Sequence, residues 1–77
     1  MLGLQYTSLA LKHWKRWRPK MVREMRKHGT LNEEVQRASR DAADQVACLM
    51  RAGMQKHEAE EMVLPDLILL KPEPGVE

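Results

Sequence analysis

Phenylalanine is absent from this chain of 77 residues, and two Trp and one Tyr are its whole aromatic content. The core must therefore come from Leu, Val, Ala, Met and the two Trp. Met occurs six times, and its soft torsions make such a core adaptable rather than sharply specified. The one cysteine, Cys48, excludes an internal disulfide and points to a reducing, cytoplasmic setting. No apolar run approaches the ~20 residues that span a bilayer, so no integral membrane segment is expected. The opening MLGLQYTSLALKHWKRWR places apolar residues before its charges, the reverse of a secretory signal. Gly3, Gly29, Gly53 and Gly75 stand isolated, which leaves no glycine-rich loop to cradle a phosphate.

Catalytic chemistry also lacks its residues. His57-Glu58-Ala59-Glu60-Glu61 begins like a zinc-protease helix, but Glu61 stands where the second His belongs. His57 and Glu61, one turn apart, read as a surface pair. His13 and His28 are too distant in sequence to share that turn. Cys48 has no neighbouring His to activate it. We expect no catalytic residue, no metal and no cofactor, hence a protein that is not an enzyme.

What the chain does have is a division of charge. Between Lys12 and His28 lie eight Lys and Arg against Glu24 alone, whereas five Lys and Arg meet ten Asp and Glu from Gly29 onward. A basic front half and an acidic back half suit an anionic partner, or a second copy of the chain forming a homo-oligomer.

Apolar spacing predicts an all-α fold, a small bundle of three to four helices with short loops. Ala10, Trp14, Trp17, Met21 and Met25 recur at helical spacing, starting near Thr7 or Ser8 as an N-cap. Pro19 interrupts this stripe, so the first helix is kinked there, or broken with Pro19 opening a second helix. Gly29 follows two basic residues, as a helix end requires. Thr30 and Glu33 then match a capping box. The next helix carries Leu31, Val35, Ala38, Ala42, Val46 and Leu49 on one face and ends at Gly53. A last helix from Gln55 to about Leu64 is expected to bury Ala59, Met62 and Val63. Pro65 ends or restarts it. Leu67-Ile68-Leu69-Leu70 is too short to assign by periodicity, either a final turn or an extended segment. Residues 1–70 form a single helical domain on this reading, and 71–77 a disordered Pro-rich tail.

On one helical wheel, Lys12, Arg16, Lys20, Arg23 and Lys27 form a stripe opposite Trp14, Trp17, Met21 and Met25. The stripe reads either as a solvated face or as a track of phosphate contacts along DNA or RNA. A membrane surface or an acidic protein surface are further readings. The two Trp read as core anchors, with stacking on exposed bases as the alternative. A helix–turn–helix reader fits poorly, because Glu33, Glu34, Asp41 and Asp44 on the second helix would face phosphates.

Arg18-Pro19, Gly29, Leu31-Asn32, Val35 and Ala42 carry a resemblance to the small TnpV proteins encoded by bacterial transposons. The resemblance spans roughly residues 12–50, with an echo in Ala59-Glu60-Glu61-Met62-Val63 and Asp66-Leu67-Ile68. The chain departs from the family in being shorter, in its abrupt connection after Gly53, and in its strong basicity around Trp14 and Trp17. The resemblance implies a bacterial mobile-element or phage setting and carries over no catalytic residue.

Two functions follow as expectations. The first is a nucleic-acid-binding accessory protein gripping phosphates through Lys12, Arg16, Lys20, Arg23 and Lys27. The second is a protein-binding inhibitor or adaptor docking through Trp14, Trp17, Leu67, Ile68, Leu69 and Leu70.

Overall fold

Pro19 decides how the front half folds. Having no amide hydrogen, it ends the first helix in the computed structural model, which describes residues 3–75. Helix α1 (Thr7–Trp17) stops one residue short of Arg18, and α2 (Pro19–Lys27) begins at the proline itself. Of the two forms considered for Pro19, the break is the one adopted. Arg18 serves both helices as a cap, at φ −133° and ψ 56°. Two longer elements follow, α3 (Leu31–Arg51) and α4 (Lys56–Leu67), and the described residues hold four helices and no strand. Helix α3 packs against each of the other three.

Glycine makes both turns at the ends of α3. Gly29 at φ +71° lets Thr30 N–H reach the Met25 carbonyl (2.8 Å) while Gly29 N–H reaches that of Arg26 (3.1 Å). Gly53 at φ +104° repeats the pattern, with Met54 N–H on the Leu49 carbonyl and Gly53 N–H on that of Met50. Both are Schellman closures, which need a left-handed residue that only glycine adopts cheaply.

The first closure overturns the capping expected at Thr30. Its hydroxyl is directed at the Met25 carbonyl (3.4 Å), back toward α2, and it makes no cap bond to α3. Thr30 is at φ −110° and ψ 1°, outside the extended region from which a side chain caps. Neither Thr7 nor Ser8 caps α1: both lie inside it, and the Thr7 hydroxyl donates to the Leu4 carbonyl (2.9 Å). The capping box forms at α4 instead, between Gln55 and Glu58.

The core consists of Tyr6, Ala10, Trp14, Val22, Val35, Ala42, Val46, Ala59, Val63 and Ile68. Leu31, Ala38 and Leu49 flank it, half-buried, so the periodic face of α3 is the one that packs. Met62, expected inside, is 58% exposed. Helix α4 runs through Pro65 to Leu67, and the chain leaves helical geometry only after that. Ser39 is fully buried because it ties down the N-terminal turn. Its Oγ accepts from Tyr6 N–H (3.0 Å) and donates to the Gly3 carbonyl (2.6 Å).

The Cα radius of gyration is 13.1 Å, and the extents are 40 × 27 × 13 Å. A compact domain of this length has a radius of about 11.5 Å. The fold is a flat layer, and a flat layer leaves many apolar side chains only half covered.

Two outcomes follow. Ala42 has no exposed surface, so Ala42→Leu overpacks α3 and lowers stability by about 1–3 kcal/mol in equilibrium denaturation. Tyr6 has its hydroxyl pushed from 10.0 to about 12 by burial, then by its hydrogen bond to Glu60 (2.7 Å) and the Glu60 charge. The folded value lies above the unfolded one, so the contribution present at neutral pH is lost as pH climbs from about 10 toward 12. Denaturation across that window, with Tyr6→Phe as the reference that lacks it, measures the loss.

Candidate functional site

The cationic segment spans α1 and α2, so the break at Pro19 sets its shape. Lys12, Arg16, Lys20, Arg23 and Lys27 are all exposed. So are Lys15 and Arg26, which a single helical wheel leaves outside the stripe. Lys15, Arg23 and Arg26 instead line one groove with Pro19 and Val22, across the α1–α2 joint. The signal for this was their spacing, since Lys15, Pro19, Val22 and Arg26 recur at 4, 3 and 4.

Among the described residues, none of these seven cations enters an ion pair. The one acid of the segment, Glu24, is exposed and pairs with His28 (3.6 Å), and the other ion pair is Arg37–Glu34. Arg18 is not free in this way: its Nη1 donates to the Lys71 carbonyl (2.8 Å).

That contact belongs to a strap laid over the joint by the segment after α4. The Trp14 indole N–H donates to the Ile68 carbonyl (2.7 Å), and His13 Nε2 to that of Leu70 (2.9 Å). Glu73 N–H donates to the Trp17 carbonyl (2.8 Å). The Glu73 carboxylate then accepts from Lys20 N–H (2.9 Å) and Met21 N–H (3.1 Å). Helix α2 has no acid in its own first turn, so Glu73, 9% exposed, satisfies its open amides and complements its dipole from a distance of more than fifty residues.

The expectation of a disordered tail over 71–77 is therefore corrected for Lys71 to Gly75, and residues 76–77 lie outside the described residues. The proline-rich composition suggested disorder, but Glu73 finds backbone donors and stays.

The strap also uses the residues expected to dock a protein. Trp14 (3% exposed) and Ile68 (0%) are in the chain's own core. Leu67, Leu69 and Leu70 are half-buried against it. The two Trp part company here. Trp17 is half-buried but is not among the side chains packed on the core, so the expectation that both anchor it holds for Trp14 alone.

Elsewhere, His57 and Glu61 are exposed, and among the described residues no group of three or more His, Cys, Asp or Glu could hold a metal. Cys48 is exposed in a shallow groove with Gln45, Leu49, Met62, Val63 and Asp66, and no His lines it. Among the described residues no helix is long and apolar enough to cross a membrane. No protein-family model, curated protein or solved structure matches the chain.

Glu73→Ala removes the acceptor at the start of α2 and lowers stability by about 0.5–2 kcal/mol, the range for a lost helix cap. Equilibrium denaturation of this variant measures it. A midpoint equal to the wild type would mean that the strap does not hold the joint.

Proposed function

We propose that this chain is a non-enzymatic nucleic-acid-binding accessory protein that grips the phosphate backbone through the basic face of α1 and α2. The observation that carries this reading is the set of seven exposed cations, Lys12, Lys15, Arg16, Lys20, Arg23, Arg26 and Lys27, with no ion pair among the described residues. Solubility alone is served by mixed signs, as on the outer face of α3, where Glu33 and Asp44 are interspersed with Arg37, Arg40 and Arg51. A one-sign surface is suited to a polyanion, because each phosphate neutralised releases condensed counterions. Backbone contacts position a protein without reading sequence, so the binding is general rather than base-specific. The bacterial mobile-element setting rests on the TnpV-like residues alone. A protein dock through Trp14 and Leu67–Leu70 has less support, because those side chains are engaged within the chain.

The test is a salt titration of affinity for DNA and RNA oligonucleotides. Four to five phosphate contacts imply that log affinity falls with log salt at a slope of about −3 to −4.5. Arg23→Glu with Arg26→Glu removes two contacts and flattens the slope by about 2. Both residues are exposed, so helix content by circular dichroism stays unchanged. Absence of salt-sensitive binding at low ionic strength would sink the reading.

A further inference from the structure

Trp17 is a large aromatic side chain that the core does not use. Trp14, one turn earlier, is 3% exposed and hydrogen-bonded inside, whereas Trp17 is half-buried and outside the core packing. Its neighbours are polar. The Arg16 guanidinium lies over the indole at 4.7 Å from the ring centre, and the His13 ring is tilted against it at 6.4 Å. The backbone beneath is pinned, since the Trp17 carbonyl accepts from Glu73 N–H. The indole is thus held in place by its main chain and covered by an exposed cation.

Resting on the nucleic-acid reading above, we infer that the ligand is an unpaired strand, one base of which stacks on Trp17 in place of the Arg16 guanidinium. An exposed cation–π contact is weak, so a base with its larger π-face displaces it readily. Arg16, once displaced, is free to pair with a phosphate. Lys12 lies one turn before it and Lys20 lies in the first turn of α2, so cations flank the indole on both sides along the chain. This is the combination used by proteins that bind single strands: an aromatic platform within a cationic track. A duplex keeps its base faces stacked inside, so it engages the cations and leaves Trp17 untouched.

The experiment uses the full chain with oligothymidylate, oligouridylate and a mixed-sequence duplex, each about 15 units long. Affinity is read by anisotropy of the labelled oligonucleotide, and stacking by tryptophan emission. Either single strand quenches the wild-type emission. The duplex does not quench. Trp17→Phe leaves Trp14 as the lone reporter, so quenching disappears while most affinity stays, because a phenyl ring still stacks. Trp17→Ala weakens single-strand binding by about 5- to 140-fold and barely changes duplex binding. Circular dichroism of both variants matches the wild type. Salt-sensitive binding without quenching, or equal loss for strand and duplex in Trp17→Ala, overturns the stacking inference and leaves the phosphate interface standing. No binding to any of the three overturns both.

Discussion

Proline at position 19 leaves a gap in the hydrogen-bond ladder, and much of the molecule is arranged around filling it. The break exposes the first amides of α2 in a segment whose charged side chains are cationic except for Glu24. A helix start surrounded by Lys and Arg is electrostatically unfavourable, since its dipole is positive at that end. Glu73 supplies the missing negative charge and two acceptors. Its main-chain N–H meanwhile holds the last carbonyl of α1. One residue thereby links both sides of the break, and the strap that delivers it completes the core with Ile68.

The same arrangement explains why the basic face is open. The acids of the back half lie mostly on the outer surfaces of α3 and α4, and Glu73 is directed at backbone rather than at a lysine or arginine. Opposite charges in one small chain stay unpaired when they lie on the outer faces of helices that pack through their apolar sides. Cations left unpaired are available to an outside polyanion, which is the basis of the functional reading.

The elements were legible from local rules. The break at Pro19, the ends at Gly29 and Gly53, and the buried face of α3 each depend on residues within a turn of one another. Where local rules failed, a competing bond was the cause. Thr30 has the residue type of an N-cap, but the Schellman turn before it fixes its backbone and draws its hydroxyl toward Met25. Gln55, a less usual cap, formed the box with Glu58 because its backbone is extended, at φ −74° and ψ 155°. Met62 lies in phase with Ala59 and Val63 yet remains exposed, since a layer this thin does not cover the edge of α4.

The candidate interface divides in the same way. That a cationic segment exists, that it is helical, and that its five stripe residues face solvent follow from composition and periodicity, because these concern residues on one element. Which cations share a groove with Pro19 and Val22, and the separate environments of Trp14 and Trp17, were decided by packing. The joint between α1 and α2 is held by Glu73, Lys71 and Leu70, which lie more than fifty positions from their partners. Spacing in a sequence reports which residues share a face of one helix. It carries no information about a carboxylate that arrives from the far end of the chain, and here that carboxylate holds the surface in shape.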